Sequence, residues 1–534
     1  METISTFKNQ PLRDFSEENN RAAIESALVE IEALIRSRSL AAAPIIGGAK
    51  RGGCETFSRK DPSNLNVTVG TTEFASVELA AEAIESCRRG FPAWQATSLS
   101  TRAAVLHEAA SIMRDRSAFL TALIIREAGK PWKEADADVA EAIDFCDYYA
   151  DEMLRIGPAR RTQEVLGEDN VLFYQPRGVA AVISPWNFPL AITAGMTVAA
   201  LVAGNTVVLK PSEQTGLIAH ELARILYAAG VPAEALAFLP GRGETVGRFI
   251  VEHPHTSLIA FTGSRAVGLE ISRSAAEVRP GQRGLKRVIA ELGGKNAVIV
   301  DDDADFDDAV RGVLYSAFGF AGQKCSACSR LIVVGDAYEP FLTRLAAATQ
   351  DIIVSRAEDP SAFLGPVIDE ESQSRILGTI SEAQGQCTIL ARGVVSDEVS
   401  RSGTFVPPTI FRDVSPSHPL WTDEIFGPVL SCARANSFDQ ALEMAVASDY
   451  ALTGGVFSRH PGHISSAREK FRVGNLYINR SITGALVARQ PFGGFAFSGI
   501  GSKAGGPDYL LQFLEPRVVT ENTMRRGFSP DLSN

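Results

Sequence analysis

No part of this 534-residue chain concentrates positive charge. Lys and Arg number 52 against 63 Asp and Glu, and the formal net charge is −11. A protein that grips a phosphate backbone carries a basic face or stripe, so nucleic acid is not an expected partner. A disulfide framework is also lacking. The seven cysteines, Cys54, Cys87, Cys146, Cys325, Cys328, Cys387 and Cys432, form an odd and scattered set. That fits free thiols in a reducing compartment and points to the cytoplasm. The first twenty residues, METISTFKNQPLRDFSEENN, have no apolar core and carry acids, so neither a signal nor a transit peptide is expected there. Internal repeats, low-complexity tracts and long linkers are missing too. One uncharged run, residues 178–209, is long enough to cross a bilayer. It contains Pro185, Pro189, Asn187 and Asn205, and its ends are short β-branched runs. A strand, a loop, a buried helix and a second strand describe it better than a membrane span.

Helical periodicity runs through 16–37, 76–94 and most of 101–153. Beyond Val171 the pattern changes. Short apolar runs (VAAVIS, TVVLK, ALAFLP, SLIAFTG, RVIAELGG, NAVIVDD) alternate with helical segments, as in parallel α/β sheets. A second series follows with RLIVVG, TILARG and GVFSRH, while PSNLNVTVG and DNVLFYQPRG read as strands outside the alternation. Two α/β domains sharing one crevice are expected.

The stretch GQKCSACSR places Cys325 and Cys328 three positions apart. A zinc site needs further Cys or His ligands at matching spacing, and His253/His255 and His460/His463 lie far off in sequence. A redox pair lacks the small βαβ setting of thioredoxins. A structural cysteine usually sits in an apolar run, whereas Cys325 sits in a polar, glycine-containing turn. Such a turn can expose a thiol and offer backbone N–H groups to an oxyanion, so a nucleophile is the leading reading. A thiol attacking a carbonyl needs an oxyanion donor and a base. Asn187, in SPWNFP, carries a suitable amide, though a turn asparagine reads the same way. Glu291, ending the apolar run in IAELGGK, is a poorly solvated carboxyl of the kind that makes a base near neutral pH; a strand-end or helix-capping acid is the alternative. Gly263 and Ser264, in FTGSRAVG, fall between a strand and a helix where backbone N–H groups suit a phosphate. Lys210 and Glu213, in LKPSEQT, follow a strand and could bond ribose hydroxyls, or be a charged loop end.

These motifs occur in one order with EIFGPVL (424–430) and PFGGFAFSG (491–499). Together they resemble the aldehyde dehydrogenase superfamily over roughly residues 40–515. The resemblance implies an α/β fold with a Rossmann-type NAD-binding domain, an α/β catalytic domain and a small β oligomerisation flap. It implies that Cys325 attacks an aldehyde, that Asn187 and the Cys325 amide hold the oxyanion, and that Glu291 activates the water that releases a thioester. It assigns NAD to Lys210, Glu213, Gly263, Ser264, Glu424, Phe426, Trp186 and Ser184, with no metal. The segment 479–513 and KCSACSR further resemble the 1-pyrroline-5-carboxylate dehydrogenase group, which oxidises glutamate γ-semialdehyde in proline breakdown. That match implies a substrate carboxylate held by the loop Thr483–Gly484–Ala485 and by Ser326. Phe188 and Phe492 would pack on the aliphatic carbons, and Glu141 would lie near the amine. The domains expected are 1–160 with 176–288, 289–485, and a flap with the C-terminal tail made of 161–175 and 500–534. A homodimer or larger assembly is expected, and a proline dehydrogenase is a candidate partner. A dehydrogenase for another carboxylated semialdehyde, such as succinic, is the alternative; a non-catalytic protein keeping the fold is the alternative outside enzymes.

Overall fold

A computed structural model describes residues 7–524; the ends of the expected N-terminal domain (1–6) and C-terminal tail (525–534) lie outside the described residues. Two mostly parallel sheets form the body. The elements that place the site are, in chain order, α1 (Trp132–Ile156), β1 (Val179–Ile183), α2 (Ala191–Val202), β2 (Thr206–Lys210), β3 (Leu236–Phe238), β4 (Thr256–Thr262), α3 (Arg265–Ala276) and β5 (Arg287–Glu291). They continue with β6 (Asn296–Val300), α4 (Phe306–Phe318), β7 (Cys328–Val334), β8 (Val429–Ala435), β9 (Thr453–Phe457) and β10 (Asn475–Ile478).

The first sheet runs β5-β4-β1-β2-β3 in parallel, with short antiparallel strands at 499–500 on one edge and 45–46 and 49–50 on the other. The second runs 409–412, β8, β7, β6, β9, β10 in parallel, closed by an antiparallel strand at 388–392. Strands buried on both faces read as unbroken apolar runs, and Val179–Val182, Thr206–Lys210 and Asn296–Val300 are buried throughout. The uncharged run 178–209 is β1, a loop, α2, buried except at Ile192, and β2. Among the described residues, no helix is long and apolar enough to cross a membrane.

In the first sheet the chain winds outward from β1 in both directions, so the order reverses between β1 and β4. Ligands of open α/β sheets bind outside the strands' carboxyl ends at such a point. Two boundaries differ from the sequence-based division. Residue 289 falls inside β5, which ladders with β4 through Glu291, so the first sheet extends past it. The flap begins at Leu514 rather than 500: Gly499–Ile500 pairs with β5, and Tyr509, Leu510 and Phe513 are buried in the main core, where Tyr509 stacks on Tyr149. The flap itself is a three-stranded antiparallel sheet of Arg160–Arg161, Glu168–Pro176 and Leu514–Asn522.

Candidate active site

The carboxyl ends of the first sheet deliver most of the candidate residues. Ser184, Trp186, Asn187 and Phe188 follow β1, Lys210 ends β2 and Glu213 lies in the next turn, Gly263 and Ser264 follow β4, and Glu291 ends β5. Cys325 comes from the second sheet, in the turn between α4 and β7, so it enters from the amino end of its strand. Two glycines after β5 let these parts meet. A β-carbon on Gly294 would lie 2.5 Å from the Cys325 carbonyl, and one on Gly293 would overlap the Glu424 carboxyl. Asn296 then staples the turn: its Nδ2 donates to the carbonyls of Cys325 (2.7 Å) and Ala327 (2.9 Å), and its Oδ1 accepts from the Thr453 amide (3.0 Å).

A cavity of about 330 Å³ gathers Cys325, Ser326, Glu291, Phe188, Phe492 and Glu141, and the loop Thr483–Gly484–Ala485 forms part of its wall. This is a usual size for a small-molecule site. Gly484 takes the left-handed region (φ +75°), a backbone shape from which anion-binding nests are built. The buried Thr483 hydroxyl has no hydrogen-bond partner in the fold. Glu134, Glu141 and Asp144 stand one or two turns apart on α1 and so share the face turned to the cavity.

Cys325 is partly exposed, and none of the seven cysteines forms a disulfide. Cys328 is buried at the start of β7, its Sγ 3.4 Å from the Arg330 carbonyl, so it is part of the core. Burial pushes the Cys325 thiol up to about 12; the Glu291 and Glu424 carboxylates add to that, and the Ser326 amide opposes it. Burial also raises Glu291 to about 8, against the pull of the Lys503 ammonium and the Gly494 amide. Glu141 is raised to about 8 by burial and by Asp138 and Asp144, with Lys130 and Lys324 opposing.

Asn187 is held from two sides. Its Nδ2 donates to the Gln323 carbonyl (3.0 Å), two residues before Cys325, and keeps a second N–H. Its own carbonyl accepts from Lys130 Nζ (2.8 Å), and Lys130 is paired with Asp138 at 3.0 Å, both fully buried. Asp138 also accepts the Ala191 amide at 2.7 Å, fixing the start of α2.

A separate crevice of about 750 Å³ is lined by Ser264, Arg265 and Ala266 at the start of α3 and by Asp423 and Glu424. Ser264 caps α3 by accepting the Val267 amide. Glu424 is fixed by the Gly294 amide (2.8 Å), and Trp186 meets the Phe426 ring edge-on at 5.5 Å. Phe426, Phe320 and Ala321 all have positive φ, a cost of roughly 1–2 kcal/mol each for residues with a side chain that tends to cluster at functional sites. Glu213 Oε1 accepts from Lys210 Nζ (3.2 Å) and the Gly243 amide (2.8 Å). One expectation needs correction. The Gly263 amide donates to the Glu291 carbonyl (3.1 Å), continuing the β4–β5 ladder, so it is spent before any phosphate arrives. The Ser184 hydroxyl accepts from Thr193 (2.9 Å) and keeps its own O–H to donate.

Sequence reasoning passed over Lys130, Glu134, Asn296 and Lys324. Lys324 Nζ donates to Glu134 at 2.7 Å across the cavity rim; its only signal was its place inside GQKC. It also passed over Gln10 and Leu12, which line the cavity while Asp144 accepts the Gln10 amide (2.6 Å) and the Asn9 side chain (2.8 Å).

The chain is 46% identical over 519 residues to a 1-pyrroline-5-carboxylate dehydrogenase of Geobacillus sp. (strain WCH70), covering 97% of this chain and 99% of that one. Its fold superposes with a TM-score of 0.93 on 1-pyrroline-5-carboxylate dehydrogenase from Thermus with bound NAD, at 43% identity, over 97% of this chain and 100% of the other. With proline utilization A (PutA) from Bdellovibrio bacteriovorus inactivated by N-propargylglycine, the TM-score is 0.95 and the identity 49%, over 98% of this chain but only 54% of that longer one. The aldehyde dehydrogenase family profile matches residues 49–519, and with thiol, carboxyl and crevice arranged on two facing α/β sheets, the chain belongs to the aldehyde dehydrogenase family.

Proposed function

We propose that the protein oxidises L-glutamate γ-semialdehyde, the open form of 1-pyrroline-5-carboxylate, to L-glutamate with NAD. The observation that carries this reading is one cavity holding a thiol, a buried carboxyl and a carboxylate-sized nest, with Glu141 on the helix α1 side. The relatives' names point to the same substrate.

The crevice fits a dinucleotide on its own features. The start of α3 opens into it with unsatisfied first-turn amides, Glu424 is held rigidly in its lining, and Lys210 and Glu213 stand at the end of β2. Arg265 and Ala266, rather than Gly263, are the amides for the pyrophosphate. Glu424 and Phe426 would hold the nicotinamide ribose and ring, with Trp186 packed behind. A Glu213 carboxylate repels a 2′-phosphate, which favours NAD over NADP. Bound NAD supplies the hydride acceptor.

The chain's own groups do the rest. The Thr483–Ala485 nest, the free Thr483 hydroxyl and Ser326 take the substrate carboxylate, and Glu141 faces its ammonium. Phe188 and Phe492 exclude water from the carbons between. Cys325 Sγ adds to the aldehyde carbon, and the new oxyanion is held by the second N–H of Asn187 and the Cys325 amide. Once hydride has left, a thioester remains on Cys325. Glu291 takes a proton from the attacking water, and the thiol departs with the acid released.

We further propose three structural parts: a cofactor domain built on the first sheet, a catalytic domain on the second, and the flap as an oligomerisation element. Leu166, Val518 and Val519 are exposed on the flap, which suits a second copy of the chain. The compartment is the cytoplasm, and an enzyme that oxidises proline is the supplier of substrate, in keeping with the match to half of a proline utilization A chain. Steady-state kinetics with both nucleotides tests the reading. Glutamate γ-semialdehyde with NAD should give the highest kcat/KM; a strong preference for succinic semialdehyde would overturn the substrate assignment.

A further inference from the structure

Lys503 lies just past the short strand Gly499–Ile500, in a stretch with no role so far. Its ammonium donates to the Gly493 carbonyl (2.6 Å), the Gly474 carbonyl (2.7 Å) and Asn475 Oδ1 (3.1 Å). All three acceptors are neutral, and among the described residues Lys503 forms no ion pair, so its charge is fixed but not cancelled. The residue that anchors it also abuts Glu291. A methyl on Gly493 would sit 2.8 Å from Glu291 Oε1 and 3.4 Å from Lys503 Cα. The other carboxyl oxygen, Oε2, is buried without a hydrogen-bond partner and lies against Gly499, the ladder partner of Glu291.

The remaining groups around this carboxyl do not supply a positive charge. Cys325 and Tyr509 face it as weak acids. Across the cavity stand Glu141, Tyr315 and the Lys324–Glu134 pair, in which the ammonium is matched by its own carboxylate. Arg480 is on the far rim, its guanidinium over the Tyr477 ring.

Resting on the reading above, in which Glu291 activates water, we propose that Lys503 is a positioning residue for that step: its uncancelled charge favours the Glu291 carboxylate, and its three bonds clamp the 474–475 and 493–494 loops into the wall where that carboxylate rests. The same ammonium, with the Gly494 amide, holds Glu291 below the value that burial alone would impose, and Glu291 in turn supports the charge on Lys503 against burial. A lysine suits this work. Its compact ammonium reaches three oxygens at once, whereas a carboxylate partner would neutralise it.

The test uses the full chain with glutamate γ-semialdehyde and NAD, comparing wild type, Lys503→Met and Lys503→Gln. Gln keeps polar contacts without charge and serves if Met does not fold; thermal melts monitor both. The readouts are the first-turnover NADH burst and the pH profile of kcat. The expected result is a retained burst, a kcat at pH 7 lowered about tenfold, and the acidic limb of the profile moved up by about one unit, in Gln as in Met. Lys503→Arg, which keeps the charge, should leave the limb near its wild-type position. A kcat lowered equally at every pH, or a limb that does not move, would reduce Lys503 to a structural clamp and overturn the proposal. If wild type itself does not reduce NAD with this aldehyde, the functional reading falls first; an active wild type with an unmoved limb in the neutral variants sinks only the role of Lys503.

Discussion

Neither Cys325 nor Glu291 rests in its reactive charge state at neutral pH. Burial holds the thiol near 12 and the carboxyl near 8, and because they share one cavity, a charge on either opposes a charge on the other. The carboxyl is inert as a base while protonated, so kcat should climb roughly tenfold per unit up to about pH 8 and then level. A profile that is flat from pH 6, or that falls toward 8, would contradict this assignment. Replacing the carboxyl by an amide, Glu291→Gln, should cost about 10²–10⁴ in kcat while the first turnover of NADH survives, since hydride leaves before water attacks; stopped-flow absorbance separates the two. Cys325→Ala should abolish NADH formation with the melting curve unchanged, and turnover at the wild-type rate would show another nucleophile at work.

At the scale of elements, what the sequence shows is what is local. The apolar runs of β1, β2, β6 and β7 sit in the chain as short β-branched stretches, and SPWNFP, LKPSEQT, FTGS and ELGGK mark the strand ends where the crevice opens. The contacts that set the geometry are not local. Lys130 reaches Asp138 eight residues on and Asn187 fifty-seven residues on, and no periodicity announces that triangle. Gly263 follows its strand as the motif suggests, but that its amide is bonded to the Glu291 carbonyl is a detail finer than strand patterns resolve. Asn296 is a further case: as the residue after ELGGK it reads as an ordinary strand start, yet it bonds three backbone groups on two segments. Asn296→Ala should leave those buried groups unmade, at about 1–3 kcal/mol for each one not rescued by water. Urea unfolding should show the loss, and kcat should fall because the Cys325 carbonyl is released. Unchanged kcat would mean that the turn holds itself.

For the whole molecule, the division of labour is between two sheets. The first carries the crevice and the carboxyl on its strand ends; the second brings the thiol in from the opposite direction. The twofold α/β alternation was readable, but the exchange of segments was not: Gly499–Ile500 returns to the first sheet after the second is complete, and only a tertiary ladder reveals it. On the flap, Leu166, Val518 and Val519 are exposed. Leu166→Asp together with Val518→Asp should lower the mass measured by light scattering toward that of a single chain; an unchanged mass would assign assembly to another surface.

The central claim is that Cys325 carries the acyl group made from the aldehyde. Its most direct test is to mix Glu291→Gln with glutamate γ-semialdehyde and NAD, quench in acid after one turnover, and map the adduct by peptide mass spectrometry. The account predicts a glutamyl thioester on Cys325, formed in step with NADH. NADH released with no adduct on Cys325, or an adduct on Cys328 instead, would contradict it.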